Sequence, residues 1–105
     1  MIRPTTPEET PVLVEIATGT KVFKPHELLT LQEVLDEYHE ANHGYGHRAV
    51  TYEKDGRAIG FAYYAPTAMT DQTWYLYWIA VDRTVQARGV GAALLRYVEI
   101  GRAHV

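Results

Sequence analysis

Cysteine is absent from this sequence of 105 residues. Disulfide bonds, thiolate nucleophiles and cysteine-ligated metal centres are therefore excluded as chemistry of this chain. Because a chain without disulfides suits a reducing compartment, we expect a cytoplasmic location. Long apolar runs are missing as well, and none approaches the roughly 18 residues that a membrane-spanning helix requires. No membrane partner is expected.

Basic residues are few: ten Lys and Arg stand against 13 Asp and Glu, which gives a formal net charge of −3. A nucleic-acid surface needs clustered positive charge for its phosphate contacts, and these ten residues are scattered. Nucleic acid is therefore excluded as a partner. A hydrophobic content of 47% in a chain of this length predicts one globular domain with one core.

A metal site has only weak support. His39, His43 and His47 lie near Glu40, and histidines four residues apart on a helix can bind one metal ion. The segment 42–47 reads as a helix end followed by a loop, however, which breaks that geometry. We therefore predict no metal site, with these histidines solvated or lining a substrate pocket.

Two helices are expected before residue 42. A proline and acidic residues in the first turn favour a helix over Pro7–Thr18, and Gly19 suits its C-terminal end. Apolar residues recur at helical spacing over His26–Ala41, opposite a face that carries acidic residues. Both helices are therefore predicted to pack one apolar side on the core.

From residue 48 the sequence pattern changes to that of strands. Two β-rich runs, Ala49–Glu53 and Ala58–Tyr64, flank the turn Lys54–Arg57, whose central Asp-Gly is a strong hairpin signal. A third strand is expected over Thr73–Val81, and a helix from Ala87 through at least Val98. Several strands followed by a helix predict a mixed α/β domain.

The segment Gln86–Gly91 lies between that third strand and the last helix. Gly89 and Gly91 lack the Cβ atoms that would keep a ligand away from the backbone. The first N–H groups of the following helix have no intrahelical acceptor and point at the same place. The segment therefore predicts a ligand that carries phosphate.

Two familiar phosphate loops do not fit this segment. A Walker A loop requires Lys and then Ser or Thr after its second glycine, and neither follows Gly91. A dinucleotide-binding turn requires a third Gly or Ala where Leu94 stands, and it also requires an acidic residue about 20 residues further on. Both alternatives fail on spacing.

A third pattern, Gln/Arg-x-x-Gly-x-Gly/Ala, is matched at each constrained position by Gln86-Ala87-Arg88-Gly89-Val90-Gly91. Together with the preceding Ile79-Ala80-Val81-Asp82, this segment resembles the coenzyme A motif of the GNAT superfamily of N-acetyltransferases. The resemblance is strong over residues 74–98, and the residues before them are compatible with it but carry no specific motif. It implies acetyl-CoA as cosubstrate and an amine as acceptor.

The resemblance also implies the fold. It predicts a mixed α/β, GNAT-like fold with the order β-α-α-β-β-β-α, in which Met1–Arg3 is a short opening strand and helices flank a largely antiparallel sheet. A complete domain of the superfamily continues with a further strand, a helix and usually a last hairpin. We therefore expect an incomplete fold without the C-terminal strands and helix, and with an exposed sheet edge that invites a homodimer.

The superfamily resemblance further implies the roles of individual residues. Backbone amides over Gln86–Ala92 would hold the pyrophosphate of acetyl-CoA, and main-chain groups of Ile79 and Val81 would pair with the pantetheine arm. The Val81 N–H is expected to stabilise the oxyanion. The full set of expected cofactor-binding residues is Ile79, Ala80, Val81, Gln86, Ala87, Arg88, Gly89, Val90, Gly91 and Ala92.

The reaction implied is direct attack of an amine on the thioester in a ternary complex. Some relatives carry a Glu in the strand where Tyr75 or Tyr77 stands here, and an ordinary tyrosine pKa of about 10 is too high for a base at neutral pH. Glu37 and Glu53 remain candidates, so the general base is unassigned. The alternative function is a non-catalytic CoA-binding sensor or interaction domain.

Aromatic residues could wall an acceptor pocket, although at strand spacing they are more often core residues. We expect Leu76 and Trp78 to face the core or a helix and leave open the roles of Tyr38, Tyr45, Tyr63, Tyr64, Trp74, Tyr75 and Tyr77.

The tail Glu99–Val105 reads like one translated frame of a short-read sequencing adapter. Residues 1–99 are accordingly expected to be a truncated acetyltransferase domain, inactive by itself, and residues 100–105 a non-native tail. The alternative is a natural helix end, with Gly101 just after the last turn.

Overall fold

The computed structural model describes residues 1–40, 47–66, 74–85 and 89–103. Within these ranges the elements follow the expected order β-α-α-β-β-β-α, with a short 3₁₀ turn at Pro7–Glu9 before the first helix. They are β1 Ile2–Pro4, α1 Thr10–Thr20, α2 Pro25–Glu40, β2 Arg48–Lys54, β3 Arg57–Pro66, β4 Trp74–Val81 and α3 Val90–Ala103. The mixed α/β prediction is confirmed.

The four strands form one antiparallel sheet in the order β1-β2-β3-β4. Asp55 and Gly56, at the centre of the turn between β2 and β3, have φ angles of 55° and 77°. Positive φ at both central residues is typical of the type I′ turn, whose twist matches that of a hairpin. The Asp-Gly hairpin signal is therefore confirmed. β4 lies at the edge of the sheet and pairs, among the described strands, with β3 alone.

Helices cover both faces of the sheet. α1 and α2 place their apolar residues on one face, where the cluster consists of Leu13, Ile16, Ala17, Leu31, Leu35, Ala49, Phe61, Tyr63 and Ala80. α3 covers the other face with residues four apart, and that cluster consists of Val50, Ile59, Ala62, Tyr64, Val90, Leu94 and Val98. The helical spacing in the sequence places these side chains on one stripe of each helix. The sheet is thus the middle layer of three.

A glycine in β3 lets α3 approach the sheet closely. A Cβ atom built on Gly60 would lie 3.2 Å from the Ala80 carbonyl oxygen and 3.2 Å from side-chain atoms of both Val90 and Leu94. Gly60 is also the register partner of Val81 in β4. The missing side chain therefore fixes the first turns of α3 against the end of β4.

The end of α1 differs from the prediction. The helix continues past Gly19 to Thr20 and ends at Lys21, which takes the left-handed conformation with φ of 61°. The Lys21 N–H donates to the Thr18 carbonyl at 3.2 Å, which closes the last turn. Gly19 was wrongly predicted as the stop signal because a lysine adopts the backbone conformation that glycine usually supplies.

The bounds of α3 also differ from the prediction. Gly89 has a φ of 87°, which is not helical, so the helix begins at Val90 rather than at Ala87. Ala87 itself lies outside the described residues. At the other end the helix continues to Ala103 and includes Gly101. Gly101 therefore lies within the helix and not just after its last turn, while the non-native origin of residues 100–105 stays a prediction.

Candidate functional site

The last residues of β4 present main-chain groups to the open edge of the sheet. The Asp82 N–H donates to the Ile59 carbonyl at 2.7 Å, and the preceding residue, Val81, is the register partner of Gly60. Hydrogen bonding alternates along an antiparallel pair, so the N–H and C=O groups of Val81 and Ile79 point away from β3. An extended ligand could therefore pair with this edge as a further strand would.

The N-terminus of α3 lies beside this edge. The Ala93 N–H donates to the Gly89 carbonyl at 2.8 Å, which is the first hydrogen bond of the helix. The N–H groups of Val90, Gly91 and Ala92 consequently have no acceptor within the helix. They stand at the positive end of the helix dipole, where an anion is stabilised.

These two parts of the site adjoin one another. A Cβ atom on Gly91 would lie 3.7 Å from Cγ2 of Val81, which is an ordinary contact distance, and one on Gly89 would have no atom within 4 Å. Packing within the described protein therefore does not demand a glycine at either position. The φ of 87° explains Gly89. No contact or backbone angle among the described residues explains why residue 91 is a glycine, which is consistent with a ligand lying close to the backbone there.

The turn between β4 and α3 is organised by Asp82. One carboxylate oxygen accepts the Thr84 N–H at 2.8 Å and the Thr84 hydroxyl at 2.7 Å, while the other accepts from Arg57 at 3.0 Å. The Val85 N–H donates to the Asp82 carbonyl at 3.2 Å. The hydrogen bonds from Thr84, and then Arg57, lower the pKa of Asp82 below its ordinary value. This role was missed, although Asp followed two residues later by Thr is a recognisable turn signal.

A groove of about 610 Å³ lies beside this turn. The charged residues that line it are the basic Lys21, Arg57 and Arg83 and the acidic Glu15 and Asp82. Arg83 is thus the basic residue of the turn that lines the groove.

The expected cofactor-binding residues divide into three groups. Ile79 and Val81 offer free main-chain groups, and the segment Gly89–Ala92 forms the start of α3. Ala80 differs from both groups, because the alternation of the ladder directs its main chain toward β3 and its side chain is 4% exposed. Gln86, Ala87 and Arg88 lie outside the described residues, so their expected contacts stay predictions.

β4 carries an irregularity, but not at Val81. Trp78 of β4 pairs with Tyr63 of β3, and Tyr75 pairs with Ala65. Three residue steps on β4 therefore stand opposite two on β3. An extra residue of this kind is a β-bulge. Val81 lies in the regular part of the strand, and its N–H at the edge has no partner among the described residues. Its assignment to the oxyanion therefore stays a prediction that rests on that free N–H.

The candidates for a general base lie in different places. Glu53 is held by Arg3 at 2.7 Å on the β1 side of the sheet, away from β4, so it is a poor candidate. Glu37 lies on α2, where its charge acts on His47 and Tyr63. The side chains of Tyr75 and Tyr77 lie outside the described part of the structure.

A bonded His–Tyr pair, His47 and Tyr63, was missed by the sequence reasoning. His47 Nδ1 is hydrogen-bonded to the Tyr63 hydroxyl, and the Tyr38 ring meets the Tyr63 ring edge-on at 5.9 Å between centroids. Tyr63 is 1% exposed, and burial raises its pKa from 10.0 to about 12. Burial also lowers the pKa of His47, against an opposing effect of Glu37. Sequence spacing carried no signal for this pair, since 16 residues separate its members.

Two further findings concern metals and membranes. In residues 1–40, 47–66, 74–85 and 89–103, no group of three or more His, Asp or Glu could hold a metal ion, and His43 falls in a gap between those ranges. No helix in the same ranges is long and apolar enough to cross a membrane.

The family model described as Acetyltransferase (GNAT) family matches residues 12–104 of the sequence. This chain belongs to the GNAT family of acetyltransferases. No curated protein sequence matches it. The GNAT resemblance carried by Ile79–Asp82 and Gln86–Gly91 is thus confirmed at the level of the family.

Solved GNAT structures agree in fold. A putative acetyltransferase of the GNAT family from Desulfovibrio desulfuricans is 32% identical with a TM-score of 0.86, over 99% of this chain and 67% of that one. A ribosomal-protein-alanine N-acetyltransferase from Brucella melitensis is 22% identical with a TM-score of 0.74, over 99% of this chain and 68% of that one. A putative acetyltransferase from Salmonella typhimurium, solved with acetyl-CoA, is 18% identical with a TM-score of 0.77, over 99% of this chain and 63% of that one. The chain thus spans about two thirds of the length of these GNAT structures.

Proposed function

We propose that this GNAT chain binds acetyl-CoA and belongs to an N-acetyltransferase that acetylates an amine. The observation that carries the proposal is the main-chain edge at Ile79 and Val81, which lies beside the open N–H groups at the start of α3. An edge of this kind suits an extended amide-bearing arm, and a helix N-terminus suits phosphate. Solved relatives that carry acetyl-CoA or coenzyme A give further support.

Each part of the cofactor would use a different part of the site. The pyrophosphate would accept hydrogen bonds from backbone amides over Gln86–Ala92, and the pantetheine amides would pair with Ile79 and Val81. The basic side chains of Lys21 and Arg83, which line the neighbouring groove, would lower the electrostatic cost of bringing a polyanion to this end of the sheet. No metal takes part in this scheme.

The transfer would proceed without a covalent enzyme intermediate. A neutral amine attacks the thioester carbonyl, so that a C–N bond forms and the carbonyl oxygen becomes an oxyanion, which the Val81 N–H would stabilise. The C–S bond then breaks, the coenzyme A thiolate leaves, and the proton lost by the amine nitrogen passes to the thiolate through solvent. The protein supplies positioning and oxyanion stabilisation.

The proposal also covers the extent of the domain, the activity of the chain by itself, its assembly and its location. We propose that residues 1–99 form the acetyltransferase portion and that residues 100–105 contribute nothing to the site. We also propose that the 105-residue chain is inactive by itself, because about a third of the length of each relative lies outside the part that this chain covers. A homodimer through the β4 edge and a cytoplasmic location stay predictions.

The test is turnover by the full-length protein. Release of free thiol from acetyl-CoA is followed across a panel of amines, with and without each amine. The proposal predicts that thiol is released only when an amine is present. Without amine, the enzyme should not release even one equivalent of thiol, because no covalent acetyl-enzyme forms. If acetyl-CoA binds but no amine gives turnover, the alternative of a non-catalytic CoA-binding sensor or interaction domain replaces it.

A further inference from the structure

We propose that the groove beside the β4–α3 turn binds the adenosine 3′-phosphate end of coenzyme A and that Lys21 and Arg83 bind its 3′-phosphate. This inference rests on the function proposed above and gives a site to the part of the cofactor that Gln86–Ala92 and β4 are not expected to hold. It stands on the position of the groove, on its apolar lining and on its charges.

The groove lies at the end of the sheet where the nucleotide is expected. Residues 82–84, which line it, directly follow β4 and lead toward Gln86. In the proposed binding mode the pantetheine arm runs from the pyrophosphate along β4, past Val81 and Ile79, so the thioester lies away from this end. The nucleotide is attached on the other side of the pyrophosphate and therefore stays near the groove.

Part of the groove lining is apolar. Val12 and Ile16 of α1 and Ala58 of β3 contribute aliphatic side chains, and Gly19 contributes none. The volume of about 610 Å³ falls in the range of about 300–1,000 Å³ that is typical of small-molecule sites. Val12 is 42% exposed, which leaves apolar surface for a ligand to cover. A purine base and its ribose supply a surface that such a lining can bury.

One acidic group of the lining is already neutralised. Asp82 forms an ion pair with Arg57 at 3.0 Å, and its other carboxylate oxygen accepts two hydrogen bonds from Thr84. Asp82 and Arg57 therefore add little net charge to the groove.

Positive side chains predominate once this ion pair is set aside. Lys21, at the end of α1, and Arg83, in the turn after β4, are both exposed and approach the groove from different elements. Among the residues that the structure describes, neither forms an ion pair. Glu15 of α1 is the remaining charged residue of the described lining, and its carboxylate can accept a hydrogen bond from the amino group of adenine. Two cations beside one carboxylate suit a ligand that carries both a phosphate and an amino group.

The 3′-phosphate matches these cations better than the pyrophosphate does. Like the phosphate of a phosphoserine, a terminal phosphate monoester carries a charge of about −1.5 to −2 at pH 7. The pyrophosphate is expected to accept hydrogen bonds from backbone amides over Gln86–Ala92 and needs no side chain of the groove. The two phosphate groups of the cofactor would thus be held by different parts of the protein.

The experiment compares coenzyme A with 3′-dephospho-coenzyme A by calorimetry on the full-length protein. The two ligands differ only in the 3′-phosphate, so the ratio of their dissociation constants reports its recognition alone. Salt at about 0.15 M limits the effect of charges more than about 8 Å away. The unsubstituted protein should bind coenzyme A about tenfold more tightly than the dephosphorylated ligand, because two exposed ion pairs form.

Substitution of the two basic side chains should remove this preference. Lys21→Gln and Arg83→Gln should each lower the ratio by about threefold, and the double variant should bring it close to one. Affinity for 3′-dephospho-coenzyme A should change by less than about twofold in all three variants, which separates a lost phosphate contact from a folding defect. Lys24→Gln is the matched control, because Lys24 is exposed on the same connection after α1 and is absent from the groove lining. It should leave the ratio unchanged.

The outcomes separate this inference from the function beneath it. If the unsubstituted protein binds both ligands equally well, or if the double variant keeps the full ratio, this inference is overturned while the proposed function stands. A ratio that falls as much in Lys24→Gln also contradicts it, because general positive charge would then account for the preference. If the unsubstituted protein binds neither ligand, the proposed function fails and this inference fails with it.

Discussion

The carboxylate of Asp82 accepts both the backbone N–H and the hydroxyl of Thr84, at 2.8 and 2.7 Å. This pair of hydrogen bonds shapes the chain just where β4 ends and the turn toward α3 begins. Arg57 holds the second carboxylate oxygen at 3.0 Å and so ties the turn to the start of β3. The chain that leads to the proposed phosphate-binding turn is therefore shaped by a side chain that has no need to touch the cofactor.

Replacing Asp82 with alanine should weaken acetyl-CoA binding. Loss of hydrogen bonds to a charged group is typically worth about 1.5–3 kcal/mol, so a drop in affinity of about tenfold is expected as the turn loosens. The change is measured by calorimetry with the full-length protein. Glu53→Ala is the control, because it removes an ion pair of 2.7 Å with Arg3 near the other edge of the sheet. An equal loss of affinity in both variants would contradict the role of Asp82.

The titration of Asp82 should leave cofactor binding unaffected above pH 5. Its pKa is lowered from 3.8 by Thr84 and Arg57, so its stabilisation of the turn is complete above 3.8 and is lost only as the pH falls through the lower folded value. Calorimetry between pH 5 and 8 should give an affinity that does not depend on this carboxylate. A break in affinity in that range that disappears in Asp82→Asn would refute the assignment.

Alanine at Gly60 should destabilise the fold. The new Cβ would stand 3.2 Å from the Ala80 carbonyl oxygen and from Val90 and Leu94, so α3 must shift, at a cost of about 1–3 kcal/mol. Gly19→Ala is the matched control, because that glycine lies within α1 with no atom within 4 Å of the added Cβ. The control should be stabilised by about 0.5–1 kcal/mol. Denaturant unfolding measures both, and a stable Gly60→Ala would contradict the close approach of α3.

Neighbouring leucines on α3 should respond differently to truncation. Leu94 is 0% exposed in the cluster under α3, and Leu95 is 41% exposed. Leu94→Ala should lower the free energy of unfolding by about 2–5 kcal/mol, and Leu95→Ala by well under half of that. Thermal or denaturant unfolding provides the comparison. Equal effects would mean that α3 presents a different face to the sheet.

Glu9 should contribute to stability at neutral pH and lose that contribution in acid. The hydrogen bond from Arg3, at 2.7 Å, is the largest cause of its lowered pKa. A lowered folded pKa gives stability that is present above the unfolded value near 4.5 and that disappears as the pH falls through the folded value. Glu9→Gln should therefore be less stable at pH 7 and lose less stability on acidification. If the curves of unfolding free energy against pH ran parallel for the unsubstituted protein and Glu9→Gln, this role of Glu9 would be contradicted.

The sequence predicted the fold well wherever one local signal dominated. The Asp55–Gly56 dipeptide can adopt the two positive φ angles of a tight hairpin, and the 3.6-residue period of α2 and the alternation in the strands placed those elements to within a few residues. The motif Gln86–Gly91 identified the family because its glycines and the preceding strand agree. Local chemistry, rather than long-range packing, determined each of these features.

Features that depend on distant residues could not be predicted. The His47–Tyr63 hydrogen bond joins β3 to the residue before β2, and the Arg57–Asp82 ion pair joins positions 25 residues apart. The end of α1 was misplaced because Lys21 takes the left-handed conformation that Gly19 was expected to supply. The contact of Tyr38 on α2 with Tyr63 on β3 likewise depends on the packing of that helix against the sheet, which periodicity does not reveal.

The central claim is that the start of α3 and the edge of β4 bind acetyl-CoA, and calorimetry on paired glycine variants tests it most directly. Gly89→Asp and Gly56→Asp place the same side chain at positive φ angles of 87° and 77°, and neither Cβ would have an atom within 4 Å. Backbone strain should therefore be similar, but only Gly89→Asp sets a negative charge against the phosphates. We predict that acetyl-CoA binds the unsubstituted full-length protein and Gly56→Asp with similar affinity and that binding by Gly89→Asp is abolished. Unchanged affinity in Gly89→Asp would contradict the account.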